Sequence, residues 1–226
     1  MTIEIGFLVF PRVQQLDLTG PYEVLAMVPG ARVHLVAKTL DPLASATGLV
    51  LTPTVTFAEC PVLDVICVPG GAGVNPLMED GETLDFLRRQ AAGARYLTSV
   101  CTGALVLGAA GLLRDKRATT HWAAHDLLAA FGAIPTQGRV VRDGNLITGG
   151  GVTAGIDFGL TLAAELTDAA TAQAIQLHQE YAPAPPFDAG RPDTAGPEIL
   201  AAARERLAAT RSEREAIVAR VTGRPG

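Results

Sequence analysis

The sequence predicts an α/β protein with a mostly parallel central sheet. Apolar runs rich in β-branched residues alternate with helical patterns along most of the 226 residues, as is typical of parallel strands joined by helices. Residues 69–71, Cys101 and residues 149–151 each come directly after a predicted strand. Because ligands bind at the carboxyl ends of strands in such sheets, these three turns are expected to meet in one crevice.

The strands are predicted from short, β-branched apolar runs bounded by turn residues. A tight turn at residues 143–145, Asp-Gly-Asn, joins the last two strands into a hairpin. Pro53 divides the β-rich stretch of residues 49–57 into two short predicted strands. The predicted strands are residues 3–10, 32–37, two segments within 49–57, 62–68, 95–100 and the hairpin 140–147.

The helices are predicted from periodic apolar residues and from proline and glycine at their ends. Pro21 lies near the first turn of the first helix, and Gly132 follows the fourth. The predicted helices are residues 19–28, 80–92, 102–112, 121–131, 153–166 and 168–181. Residues 182–197 read as a loop. From about Glu198 the alternating charges predict a helix whose charged residues form a solvated face.

Composition narrows the class of protein. The net charge of −5 favours neither nucleic acid nor an anionic membrane as a partner. The odd count of three cysteines does not suggest a disulfide framework. No signal peptide and no membrane span is predicted, so a cytoplasmic location is expected.

Cys101 is the most informative residue, because a strand ends at it and a helix of small residues follows it. A cysteine at the positive end of a helix is expected to favour the thiolate, which is the nucleophilic form. The N–H groups of Thr102 and of the Gly70-Gly71 turn are candidate donors to a developing negative charge. The alternative is a buried structural cysteine with no chemical role.

Asp17 is the best acid–base candidate, because flanking leucines predict apolar surroundings that raise the pKa of a carboxyl group. The alternative is that Asp17 or Thr19 caps the following helix. Glu23 is a second candidate acid, and His121 is a candidate base whose more ordinary role is structural. No spacing of Cys, His and carboxylates matches a zinc site, and no phosphate-binding loop is found.

Taken together, seven segments resemble the DJ-1/PfpI superfamily, and most closely its isocyanide-hydrating branch. The branch assignment depends on Asp17 together with Cys-Thr-Gly at 101–103. The segments are IGFLVF (5–10), QQLDLTGP (14–21), DVICVPGG (64–71), TSVCTG (98–103), RATTHW (117–122), VVRDGN (140–145) and TGGG (148–151).

The resemblance implies a flavodoxin-like three-layer sandwich with a nucleophile elbow at Cys101, and usually a homodimer. It implies a family domain over residues 1–190 and a helical extension over 191–226. Cys101 matches the family's nucleophile, and Asp17 matches the acid–base carboxylate of the isocyanide-hydrating branch. Thr102 matches a residue beside the nucleophile. The other implied site residues are Gly71 and Gly150, as backbone donors and pocket, and Val152, an aliphatic residue on a mobile helix.

The activity implied is hydration of a small-molecule isocyanide to an N-substituted formamide, through a covalent thioimidate on Cys101 and with no metal or organic cofactor. The protease-like and glyoxalase-like branches carry His directly after the cysteine, where this chain has Thr102. Alternatives kept open are a cysteine-dependent glyoxalase, a small-amide hydrolase on the same fold, and a ligand-sensing or oxidation-sensing domain.

Overall fold

The computed structural model describes residues 2–223. The strands, in chain order, are β1 (Ile3–Leu8), β2 (Ala31–Ala37), β3 (Leu43–Ala44), β4 (Val50–Leu51), β5 (Val55–Thr56), β6 (Val65–Val68), β7 (Tyr96–Val100), β8 (Arg117–Ala118), β9 (Ile134–Pro135), β10 (Val140–Asp143) and β11 (Leu146–Gly149). The helices are α1 (Gln15–Leu25), α2 (Val74–Leu77), α3 (Gly81–Ala91), α4 (Gly103–Ala109), α5 (Ala154–Leu166), α6 (Ala169–His178) and α7 (Pro197–Thr222), with a 3₁₀ helix at Trp122–Phe131.

Seven of these strands form the central sheet, in the order β10-β11-β7-β6-β1-β2-β5. All neighbouring pairs are parallel except the β10–β11 hairpin. The predicted fold class and the hairpin are therefore confirmed. The neighbouring strands β11, β7 and β6 carry at their carboxyl ends the three turns that the sequence singled out.

Helices cover both faces of the sheet and make a three-layer sandwich. Alternate residues of the buried strands enter opposite cores: Val65 and Cys67 pack on one face, and Ile66 and Val68 on the other. Helices α1, α5 and α6 pack together on the first face. On the second face lie α2, α3, α4, the 3₁₀ helix and α7.

Helix α1 begins at Gln15, four residues before the predicted start at Thr19. Its N-cap is Gln14, whose side chain makes no capping hydrogen bond. The expectation that Asp17 or Thr19 caps this helix is therefore wrong. Tertiary contacts set the start of α1 instead, since the N–H of Gln14 donates to the carbonyl of Gly70 at 2.8 Å.

The C-terminal helix α7 begins within one residue of its predicted start at Glu198, but its charged residues are not all solvated. Ile217 and Val218 are buried, and so is Arg214, which is only 7% exposed. The predicted solvated face is therefore wrong at Arg214, because α7 packs against α2, α4 and the 3₁₀ helix. The boundary between a family domain and an extension after residue 190 stays a prediction.

Across residues 2–223 no helix has the length and apolar character needed to cross a membrane.

Candidate active site

The strand β7 ends in a sharp turn that places Cys101 at the carboxyl edge of the sheet. Cys101 has a backbone φ of 56°, in the left-handed region that non-glycine residues rarely adopt. Its N–H donates to the carbonyls of Gly149 and Gly150 at 3.1 and 2.8 Å, and its carbonyl accepts a 2.7 Å hydrogen bond from Thr120 Oγ1. These contacts hold the strained conformation in place, which is the arrangement predicted for a nucleophile elbow.

Two glycines let the neighbouring backbone pack close to this elbow. A Cβ at Gly103 would overlap the carbonyl oxygen of Val68, so α4 can approach the end of β6 only with glycine there. A Cβ at Gly70 would lie 2.7 Å from Asp17 Oδ2 and from Thr102 Oγ1. The turn after β6 therefore touches both Asp17 and the residue that follows the cysteine.

Asp17 lies in the first turn of α1 and is completely buried. Its Oδ2 accepts a 2.9 Å hydrogen bond from the N–H of Gly70. Burial raises the pKa of Asp17 to about 7, although the Cys101 thiol and the N–H of Gly70 oppose this rise. The predicted raised pKa is therefore confirmed, and Asp17 holds a proton well above the usual range of a carboxyl group.

The Cys101 thiol is 5% exposed, and its pKa lies well above the ordinary value. Burial is the largest cause, and the charge of Asp17 adds to it, while the N–H of Thr102 acts in the opposite direction. The expectation that the helix end favours the thiolate is therefore wrong for the cysteine alone, because burial beside a carboxylate outweighs the dipole of the short helix α4.

Asp17 and Cys101 each shift the pKa of the other, so they titrate as a pair. When the pair has lost one proton, the remaining proton can lie on either group. One arrangement places a thiolate beside a neutral carboxylic acid, which combines a nucleophile with a proton donor in a single site.

The predicted backbone donors are largely engaged within the protein. The N–H of Gly71 donates to Thr102 Oγ1 at 3.1 Å, and the N–H of Gly150 donates to the carbonyl of Arg139 at 2.8 Å. Only the N–H of Thr102, among these candidates, acts on the sulfur of Cys101. The role of Gly71 and Gly150 in shaping the pocket stays a prediction.

Val152 and His121 lie at the edge of the site. Val152 is half-buried in the turn before α5 and packs against the core cluster that contains Cys101. Nδ1 of His121 caps the 3₁₀ helix by accepting from the N–H of Ala123 at 3.2 Å. Burial, and then the charge of Arg214, lower the pKa of His121 to about 4, so the imidazole is neutral at pH 7 and serves as a structural cap.

Arg214 is the site neighbour that the sequence did not reveal. Its Nε donates to Asn75 in α2, shortly after the turn that follows β6, and its charge lowers the pKa of both Cys101 and His121. In sequence it is one of several arginines in an evenly charged helix, and only packing distinguishes it from the others. Glu23, the second candidate acid, is exposed and has no contact that links it to Cys101.

Within residues 2–223 no group of three or more His, Cys, Asp or Glu side chains is arranged to hold a metal ion. The arrangement supplies a cysteine nucleophile on an elbow, a buried carboxyl group that carries a proton near neutral pH, and a cation nearby. It defines an α/β protein suited to covalent chemistry on a small electrophile.

This class of protein is represented by the DJ-1/PfpI family, whose model matches residues 4–165. The chain belongs to that family. It is 66% identical to a Pseudomonas putida isonitrile hydratase over 224 residues, which cover 99% of this chain and 98% of that protein. It is also 31% identical to GbdR, a helix-turn-helix transcriptional regulator from Pseudomonas aeruginosa, over 70% of this chain and 45% of the regulator.

Solved structures share the fold. A THiJ/PfpI family protein from Pseudomonas syringae aligns with a TM-score of 0.94 and 47% identity, over 96% of this chain and 91% of that one. DJ-1beta from Drosophila melanogaster aligns with a TM-score of 0.74 and 23% identity, over 81% of this chain and 100% of that one. The similarity to DJ-1beta is evidence only for a shared fold.

Proposed function

We propose that this protein hydrates isocyanides, R–N≡C, to N-substituted formamides. The observation that carries this proposal is the buried Asp17–Cys101 pair, in which a carboxyl group with a pKa of about 7 is electrostatically coupled to the elbow cysteine. The 66% identity to a protein named isonitrile hydratase, a synonym for isocyanide hydratase, supports the same substrate class.

The first step forms a carbon–sulfur bond. Asp17 takes the thiol proton of Cys101, and the thiolate attacks the terminal carbon of the isocyanide. The neutral Asp17 then gives that proton to the same carbon, which produces a thioimidate, R–N=CH–S–Cys101. Burial raises the pKa of Asp17 and so brings it closer to the pKa of the carbon that receives the proton. This closer match favours the proton transfer.

The second step breaks the carbon–sulfur bond. Asp17, now a carboxylate, accepts a proton from a water molecule as the water oxygen attacks the thioimidate carbon, and it passes that proton to the nitrogen. The carbon–sulfur bond then breaks as the carbonyl forms, the hydroxyl proton returns to the Asp17–Cys101 pair, and R–NH–CHO is released. Isocyanide and water are consumed, and neither a redox change nor a net proton transfer to solvent is needed.

The surroundings of the reaction belong to the same proposal. Thr102 fixes the turn at Gly71 and directs its own N–H toward the sulfur, while Val152 supplies an apolar wall. The family resemblance supports a homodimer. The cysteine usage and net charge support a cytoplasmic location, and no nucleic acid or membrane partner is proposed.

The test is loss of an aryl isocyanide by the purified protein, with the formamide identified by mass. Replacement of Cys101 by alanine is expected to lower turnover more than about a thousandfold while the protein stays folded, because the nucleophile is lost. The matched control is Cys60→Ala, since Cys60 is a half-buried free cysteine outside the site, and its turnover is expected to equal that of the parent.

Two other outcomes would point to the rival functions. Lactate formation from methylglyoxal, without isocyanide turnover, would identify a cysteine-dependent glyoxalase. Binding of a small ligand without turnover of any substrate would favour a sensing domain, which the 31% identity to a transcriptional regulator makes the second candidate. Turnover by Cys101→Ala at the parental rate would contradict the covalent mechanism.

A further inference from the structure

The C-terminal helix α7 carries an arginine on its buried face. Arg214 is 7% exposed, and Ile217 and Val218, which follow it by three and four residues, are 4% and 3% exposed. Residues at this spacing share one side of a helix, so α7 turns a cation and two apolar side chains toward the body of the protein. Arg211 and Arg220, by contrast, form ion pairs with Asp126 and Glu79 nearer the surface.

The guanidinium of Arg214 is held by an amide rather than by a carboxylate. Its Nε donates to Asn75 Oδ1 at 2.9 Å, and Asn75 is itself completely buried. The Nδ2 of Asn75 donates to Glu213 Oε2 at 2.7 Å and to the carbonyl of Thr210 at 3.3 Å, which fixes its orientation. Arg214 makes no salt bridge with any carboxylate in the part of the chain that the structure describes.

A buried cation without an adjacent carboxylate is costly unless an anion lies within reach. Glu213, at the other end of Asn75, is one such anion, and the Cys101–Asp17 pair is a second when it has lost one proton. Thr120 Oγ1 donates to the carbonyl of Cys101, and α7 packs against the 3₁₀ helix that begins two residues after Thr120. Asn75, which binds Arg214, lies four residues after Gly71, whose N–H donates to Thr102 Oγ1. The buried face of α7 therefore contacts two segments that touch the elbow.

Two charged side chains act on the pKa of Cys101. They are Asp17 from α1 and Arg214 from α7. The charges that act on Arg214 are those of Cys101 and, from its own helix, of Arg211 and Glu213. The charge of Arg214 lowers the pKa of Cys101. The pKa of Asp17, in contrast, depends mainly on burial, on Cys101 and on Gly70.

We propose that Arg214 is a positioning residue for the reaction, in which α7 holds a cation on the sulfur side of the Cys101–Asp17 pair. A positive charge there favours the arrangement that has its negative charge on Cys101 and its proton on Asp17. Asn75 aims the guanidinium, and the C-terminal helix thereby becomes part of the active site. The inference rests on the proposed function for its turnover measurement, but its effect on the thiol is independent of any substrate.

The test measures how fast iodoacetamide alkylates Cys101 between pH 5 and 9, by mass spectrometry of the peptide that contains this residue. Two neutral variants, Arg214→Gln and Arg214→Met, are compared with the parent, and circular dichroism verifies that each is folded. The matched control is Arg220→Gln, which removes one arginine from the same helix and breaks its ion pair with Glu79.

In both neutral variants we expect alkylation at pH 7 to fall about tenfold, with the profile displaced by about one pH unit to higher pH. Arg214→Lys is expected to restore most of the rate, and Arg220→Gln to match the parent. The kcat for an isocyanide should fall with the alkylation rate, while KM changes little because the substrate is neutral.

An unchanged alkylation profile in either folded neutral variant would overturn the inference, as would a loss that Arg214→Lys does not restore. If the parent lacks isocyanide turnover but the alkylation profile shifts as expected, the role of Arg214 holds and the proposed function fails. The two outcomes are therefore distinguishable.

Discussion

At the scale of single residues, the chemistry depends on the proton count of the Asp17–Cys101 pair. Below pH 7 both groups hold their protons, and no carboxylate is present to take the thiol proton. Once the pair has lost one proton, thiolate and carboxylic acid can coexist. The sequence predicted both members and the raised pKa of Asp17 from its leucine neighbours, but it predicted the wrong direction for the thiol, because burial depends on the whole fold.

The pH dependence of turnover follows from this proton count. We expect kcat/KM for an isocyanide to rise with pH through about 7 and to stay level toward pH 9, since the pKa of Asp17 is about 7 and that of Cys101 is well above its ordinary value. Asp17→Asn should lose this rise and lower kcat/KM about a hundredfold or more. A parental profile that is flat between pH 5 and 8 would argue against the pair.

At the scale of structural elements, the site is built from turns that follow neighbouring strands. The alternation of strands and helices was sufficient to predict that residues 69–71 and Cys101 lie near one another. The position of Asp17 was less predictable, because α1 begins without a side-chain cap. An isolated bridge between Val13 and Gly71 ties the chain before α1 to the turn after β6, and this long-range pairing brings Asp17 to the cysteine.

The turn after β6 offers a test of this arrangement. In Gly70→Ala the added Cβ would lie 2.6 Å from the Thr102 nitrogen and 2.7 Å from Asp17 Oδ2. We expect Asp17 and the elbow at residues 101–102 to move apart. The kcat should then fall at least about tenfold, and the free energy of unfolding should decrease by about 1–3 kcal/mol. Steady-state kinetics and urea unfolding would measure the two effects.

The matched control for this substitution is Gly81→Ala at the start of α3, where an added Cβ meets nothing within 4 Å. That variant should keep parental kinetics and stability. Parental kcat in Gly70→Ala would show that the turn does not set the distance between Asp17 and the elbow.

At the scale of the whole molecule, the proposed site draws on both layers of helices. Asp17 comes from α1 on one face of the sheet, and Arg214 comes from α7 on the other, while Cys101 lies at the sheet edge between them. Sequence patterns describe each element alone, so they could not show which of the arginines in α7 is buried. That property arises only when α7 packs against α2, α4 and the 3₁₀ helix.

Burial of Asp17 also has a consequence for the stability of the fold. The pKa of Asp17 is raised from 3.8 to about 7 in the folded protein. The stabilisation from its bound proton is complete below about pH 4 and is lost as pH rises through about 7, because the unfolded chain releases this proton much earlier. Over that interval Asp17 lowers the free energy of unfolding by up to about 4 kcal/mol.

Asp17→Asn removes this titration and keeps an oxygen that can accept from the N–H of Gly70. We therefore expect the variant to gain stability over the parent as pH rises from 4 to 8, by up to about 4 kcal/mol, while its activity is lost. Urea unfolding of both proteins across this range measures the difference, and subtracting the two curves removes the contribution of all other acids. A difference that stays constant with pH would mean that Asp17 titrates as an ordinary exposed carboxyl group.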